Sequence, residues 1–417
     1  MVLAGFAVRL LVMLFAYKLQ LDPSSDHWAF GWETGRVARS IVTGRGFSSP
    51  YSGPTGPTAL LPPVYTYLVA AVFKLFGVYT TVSALVLLTL NNLFSSLTCL
   101  PVYSIARRVF GIRPAEWAGW VWAFFPYSIA LSNTVVWETS LTTLLLSLTV
   151  LATLLLEHSN RIAAWAGYGL LWGCVGLTSP ATMAILPFLG GWIWIRQWRL
   201  GYNCTKAAMI ASLCFFAMIA PWTWRSSHAY GRFVALRGNL GLEVLVGNSD
   251  DTSHPSNWSV LPGVNQSEFE KLQQEGESAY MAQKANEARQ LIRQHPYRYA
   301  GLSLRRFVNT WTGIWNFPPV WSLDDAGWPN ILMYSFLSLL AFAGIAAAVR
   351  DRRERSWPLL LAVLVFPALY YFTHSDMGFR HPVDPIIVIF LAYAIAVHTE
   401  KSKILSSPRN QSFASRI

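Results

Sequence analysis

Two carboxylates in this sequence are placed where they could do chemistry. Glu138 closes "SNTVVWE" and opens the apolar run "TSLTTLLLSLTVLATLLL", and Glu33 lies in "FGWETGRVARSIV" with Asp26 just upstream. A carboxylate at the mouth of an apolar span is costly to keep, and so a functional candidate by default. Its natural work is to take a proton from an attacking hydroxyl. The bland alternatives are an i,i+3 pair of Glu33 with Arg36 on a wet surface and a helix-holding pair of Glu138 with some arginine. Arginines supply the second chemistry. Arg225, Arg232 and Arg237 fall within "PWTWRSSHAYGRFVALRGN", while "THSDMGFRHPVDP" carries Arg380 and His381 beside His374 and Asp376. Guanidinium forks match phosphate oxygens bidentately. Acid and arginine together suit a reaction in which one reactant loses a proton and the other bears a phosphate. His374 and Asp376 are of metal-ligand type, but no third ligand stands at a fixed spacing. They are read as substrate-binding, with no metal.

The elements that must position these groups are membrane helices. Of 417 residues 53% are hydrophobic and 13% charged, against roughly 25% charged in soluble domains. Apolar runs closed by charge predict an all-α polytopic membrane protein with about ten spans, at 2–20, 78–104, 116–131, 135–156, 162–178, 180–195, 207–224, 328–349, 357–373 and 385–398. The net charge of +11 does not call for nucleic acid, because it gathers in short loops. Arg107, Arg108, Arg113, Arg161, Arg196, Arg199, Lys206, Arg350, Arg352, Arg353 and Arg355 all fall on one side, which the charge rule makes cytoplasmic. The four cysteines lie in spans or a basic inner loop and show no metal spacing. The first apolar run has no small-residue cleavage site, and Lys18 follows it, so it reads as an uncleaved span.

The organisation expected is a membrane module over 1–224, an extracytoplasmic segment over 225–327, helices over 328–398 and a tail over 399–417. Within the first module lie an outer loop at 22–57 and an interfacial helix at 58–76, whose apolar core, Val64–Phe76, is short for ~30 Å of hydrocarbon. The loop should hold a short helix from Trp28 to Val42, ended by Gly44 and Gly46. In the segment 225–327, Ser267 with Glu270 reads as a capping box, and Pro296 as a helix stop.

Taken in order, "ETGRVARSIVTGRGF", "TGPTALLPPVYTYLVAAVFKLFG", "VWETSLTTLLL", "GLTSPATMAILP", "PWTWRSSHAYGRFVALRGNLGLEVLVGN" and "YYFTHSDMGFRHPVDP" resemble the C-type (GT-C) membrane glycosyltransferases. Within them the resemblance is to the protein O-mannosyltransferase and lipid A aminoarabinose transferase group, and it covers nearly the whole chain. It implies a donor sugar on a polyprenyl phosphate, transfer at the outer membrane face, and an acidic residue of the first outer loop that activates the acceptor. Carried over, that acid is Glu33 or Asp26, because Phe30 stands where the usual pattern has Asp. Glu138 matches the second acidic position. Leu61 stands where the aminoarabinose branch has Lys, leaving Arg380, His381 and Arg225, with Arg232 and Arg237, to hold the donor phosphate.

The expected activity is an inverting transfer to an acceptor hydroxyl of a protein, glycan or lipid. It would take place in a bacterial inner membrane, with membrane lipids around it and no cofactor beyond the lipid-linked donor; a divalent metal is not expected. The rival from another class is a lipid or sugar transporter. Transporters bury ionisable groups near the midplane, whereas only Arg9 and Glu138 intrude into these spans.

Overall fold

The structure, a computed structural model, describes residues 1–16, 30–249, 257–315 and 327–405. Asp26 and the start of the expected Trp28–Val42 helix lie outside them. Among the described residues the fold is helical, with a single bridge between Ser48 and Pro57 as the only β pairing. Helix is the form these apolar runs must take, since backbone groups in hydrocarbon need partners within their own segment. Among the described residues six helices are long and apolar enough to cross a membrane: Thr81–Phe110, Thr139–Leu156, Thr205–Tyr230, Asn330–Arg350, Glu354–Phe372 and Gly378–Thr399. Val2–Phe15, Pro63–Phe76 and Ile162–Thr178 are shorter apolar helices. The chain is a multi-pass membrane protein.

Several boundaries differ from the sequence expectation, each for a local reason. The run expected as one span over 116–131 is two helices, Ile112–Ala123 and Pro126–Thr134, because Pro126 cannot donate to the preceding turn. The carbonyls freed at that break explain Arg9, which is fully buried. Its Nη1 donates to Ala123 O at 2.7 Å and Gly5 O at 3.0 Å, Nη2 to Ser128 Oγ at 2.6 Å, and Nε to Ser95 Oγ at 3.1 Å. Arg9 is therefore a structural plug for a broken helix. The helix expected over 207–224 runs on to Tyr230 and places Arg225 in its last turns. The Gln266–Glu275 helix is capped by Asn265, whose side chain accepts from Ser267 N at 3.0 Å, and not by Ser267 itself. Pro296 opens the Pro296–Thr312 helix at its first turn as well as closing the one before.

The two ends of the bundle differ in chemistry. At one end Glu157, buried at the close of Thr139–Leu156, accepts from Arg196 Nε at 2.6 Å and Arg355 Nε at 2.7 Å. The other end carries Glu33, Glu138, the helices between Leu240 and Thr312, and the 373–383 turn.

Candidate functional site

Glu33 opens the Glu33–Val42 helix and Glu138 precedes Thr139–Leu156, so each sits at a helix N-terminus, where the macrodipole favours an anion. Close backbone approach brings the two segments together. Gly31 has φ +70°, and a Cβ there would lie 2.5 Å from the Val136 carbonyl oxygen, which only glycine avoids. Trp32, between Gly31 and Glu33, holds φ 41° and ψ −93°, an outlier for a bulky side chain. Such strain persists only where the surroundings over-determine it, often at functional sites.

The third contribution comes from the Leu240–Asn248 helix. Arg237 Nη2 reaches Glu243 Oε1 at 3.3 Å, Asn239 Nδ2 donates to the same oxygen at 2.5 Å, and His374 Nδ1 lies 3.5 Å from Glu243 Oε2. Gly247 makes this possible, since any Cβ there would overlap the Thr373 carbonyl. Arg237 also donates through Nε to Leu60 O at 2.7 Å, tying the first outer loop to the same place.

These parts lie within charge reach of one another. Burial raises the Glu33 carboxyl above its ordinary range; its own helix-start N–H and the charges of Arg36 and Arg237 oppose the rise, and Glu243 adds to it. Burial likewise lifts Glu138 to about 7, against Arg237 and with Glu33 reinforcing. Both side chains nevertheless keep partial solvent contact, as groups lining a cleft do. His374 is held below its usual value, first by burial, so it is neutral near pH 7 despite Glu243. Tyr370 lies within electrostatic reach of Glu138, Arg237 and Glu243. The arrangement is thus two carboxylates with raised pKa, Arg237 within charge reach of both and Arg36 of Glu33, and a third acid with a neutral imidazole.

The other residues expected at the site fall elsewhere. Arg225 spends its guanidinium on the carbonyls of Phe47 and Thr58, over the rings of Phe47 at 5.1 Å and Trp222 at 5.0 Å. It anchors the first outer loop. Arg232 is exposed, 5.9 Å from the Tyr230 ring. Arg380 is buried: Nε donates to Asp384 Oδ1 at 2.9 Å, Nη1 to Thr310 O at 3.0 Å and Ser338 Oγ at 3.1 Å, and the group stacks 4.0 Å over Tyr334. Only its Nη2 lacks a partner among the described residues, beside a cavity of about 10 Å³ shared with Ser375 and Asp376. That is room for one water. His381 Nδ1 meets Asp384 Oδ2 at 3.0 Å, and its ring packs on Trp122. Arg237 is the arginine within charge reach of both carboxylates, whereas Arg380 is held by Asp384, Thr310 and Ser338. No group of three or more His, Cys, Asp or Glu able to hold a metal occurs among the described residues.

Sequence reasoning missed Glu243. It sits in the apolar stretch "NLGLEVLVGN", and a lone acid in such a run was the available signal. It also missed Glu277, whose Oε1 accepts from Thr58 Oγ at 2.8 Å, Ala59 N at 3.2 Å and the Tyr230 hydroxyl. This carboxylate latches the first outer loop to the Glu277–Gln294 helix, and burial raises its pKa.

With this geometry in hand, comparisons with known proteins can be read. The family model described as dolichyl-phosphate-mannose-protein mannosyltransferase matches residues 61–224. No curated protein matches the sequence. Among solved structures, the oligosaccharyltransferase AglB from Archaeoglobus fulgidus, in complex with an inhibitory peptide and a dolichol-phosphate, is similar at TM-score 0.53 and 17% identity, covering 98% of this chain and 52% of that one. The same organism's oligosaccharyltransferase tethered to an acceptor peptide is similar at TM-score 0.53 and 15% identity, over 98% and 51% of the two chains. ArnT from Cupriavidus metallidurans bound to undecaprenyl phosphate is more distant, at TM-score 0.39 and 14% identity over 97% and 79%. The chain spans about half the length of the oligosaccharyltransferases it matches. Its fold is that of the C-type membrane glycosyltransferases.

Proposed function

We propose that this protein moves a sugar from a polyprenyl-phosphate-linked donor to an acceptor hydroxyl by a single inverting displacement, at the extracytoplasmic face of a bacterial inner membrane. The observation that carries the reading is the close approach of Gly31, two residues before Glu33, to Val136, two residues before Glu138, with Arg237 within charge reach of both carboxylates. The fold shared with a structure holding a dolichol-phosphate supports it.

In this mechanism the acceptor oxygen attacks the anomeric carbon while its proton passes to the Glu33 carboxylate. The bond from that carbon to the phosphate oxygen breaks, and its electron pair leaves with the lipid phosphate. Negative charge grows on the phosphate in the transition state, so a fixed cation nearby lowers the barrier. Arg237 is assigned that role ahead of Arg380, because its side chain is 31% exposed beside the carboxylates, whereas that of Arg380 is 2% exposed and paired with Asp384. A raised pKa makes Glu33 the stronger base once it is ionised. Glu138 holds the acceptor or the first loop by charge, and Glu243 with Asn239 keeps Arg237 oriented. Phosphate is a good leaving group, so no separate general acid is needed. Asp26 remains a rival base, outside the described residues.

The test is release of polyprenyl phosphate from the lipid-linked sugar pool by purified protein in lipid vesicles, for Glu33→Gln, Asp26→Asn, Glu138→Gln and Arg237→Ala. Loss in Glu33→Gln and Arg237→Ala is expected. Wild-type rates in all four would end the reading.

A further inference from the structure

We infer that the end of the bundle opposite the carboxylates carries a receptor for the phosphate of an anionic membrane lipid, between the Leu186–Arg199 and Trp357–Val365 helices. The inference does not depend on the transfer reaction. A cavity of about 210 Å³ opens there, lined by Trp192, Ile195, Arg196, Arg199, Glu354 and Trp357. It is about twenty times the one-water cavity beside Arg380, room for a phosphodiester and its glycerol.

Spacing on the helix orders the chemistry. Trp192, Ile195, Arg196 and Arg199 fall at intervals of three and four, so they form one stripe along the axis. Indole and aliphatic carbon come first and guanidinium last, at the helix end. A phospholipid presents its parts in the same sequence from acyl chain through glycerol to phosphate. Trp194 and Trp198, 46% and 74% exposed, flank the stripe as an interfacial belt does. Basic recesses between spans on this side are recognised lipid-headgroup sites.

Charge then selects the ligand. Arg196 donates to Glu157 at 2.6 Å and to Glu354 at 2.5 Å, and Arg355 takes the second oxygen of Glu157 at 2.7 Å. Arg199 has no hydrogen bond or ion pair among the described residues and is exposed at the cavity. Three arginines against two carboxylates leave one positive charge, which matches the single charge of a phosphodiester. The bland reading, that Arg199 only complements the helix dipole, accounts for neither the cavity nor the tryptophan wall.

The experiment uses the full chain in nanodiscs of phosphatidylcholine doped with phosphatidylglycerol, with retained lipids counted by native mass spectrometry. Wild type should retain phosphatidylglycerol over phosphatidylcholine at least tenfold. Arg199→Gln should lose that preference, while Arg108→Gln, an exposed arginine at the same end and outside the cavity, should keep it. Millimolar inorganic phosphate or glycerol phosphate should not displace the lipid. Equal retention of the two lipids by wild type, a result needing no variant, would overturn the proposal. So would an undiminished preference in Arg199→Gln, or displacement by inorganic phosphate, which would make the ligand a free anion.

Discussion

Replacing Arg237 by methionine removes the cation that acts on both Glu33 and Glu138 and pairs with Glu243, while keeping an unbranched apolar stem. In the native protein Glu138 titrates at about 7, so at pH 7 about half the molecules carry it ionised. At an effective dielectric of ~20, Coulomb's law gives a unit charge ~1.7 kcal/mol, or roughly one pKa unit, at any separation on the order of 10 Å. Loss of Arg237 should therefore move Glu138 up by about one unit and cut its ionised fraction at neutral pH to roughly a tenth. Glu33 should move the same way. Infrared titration of the purified protein reads this directly, since a protonated carboxyl has its own C=O stretch. The band from Glu138 is identified by its loss in Glu138→Gln. In parallel, the rise of donor turnover with pH should shift upward in the variant, with activity partly recovered at alkaline pH. A midpoint that stays put or falls in Arg237→Met would refute the claim that these charges share one recess.

Further outcomes follow from other contacts. Glu33→Gln should lower transfer by about 10²–10⁴-fold, the usual worth of a positioned base, with donor binding retained, as measured by turnover and by lipid co-purification. Arg9→Leu should cost roughly 1–3 kcal/mol or more in denaturant unfolding, because it leaves Ser95 Oγ and the Ala123 carbonyl without their partner. Glu277→Ala should melt several degrees lower than Glu277→Gln, since glutamine keeps an acceptor for Thr58 and Ala59. The pH dependence of the Glu277 latch has a definite sign. A carboxyl raised above its unfolded value stabilises fully below that value, about 4.3, and loses the contribution as pH rises through the folded pKa. Glu277→Gln should remove that segment of the stability–pH curve.

How much of this was legible in the sequence depends on what each residue answers to. Apolar length alone located six of the ten expected spans as long apolar helices, because hydrocarbon thickness leaves a helix little choice. It could not see the break at Phe124–Phe125, whose sign was the pair Pro126 and Arg9, distant in sequence and joined only by the fold. The carboxylates Glu33 and Glu138 were visible as charges at helix mouths. The arginines were harder, because type and position do not tell which guanidinium is already committed. Arg225, Arg237 and Arg380 match phosphate chemistry equally by type, and each has partners: two backbone carbonyls hold the first, Leu60 O and Glu243 the second, and a buried aspartate the third. Glu243 was hidden because its partners, Arg237 and His374, lie on opposite sides of a long stretch of chain.

The central claim is that the donor phosphate sits at Arg237, facing Glu33 and Glu138. Electron cryomicroscopy of the full chain with a non-hydrolysable polyprenyl-phosphate sugar tests it most directly. Phosphate density within hydrogen-bonding distance of the Arg237 guanidinium, with the anomeric carbon turned toward Glu33, is the predicted result. Density lodged at the Glu157 end of the bundle, or separated from Glu33 by packed helices, would contradict it.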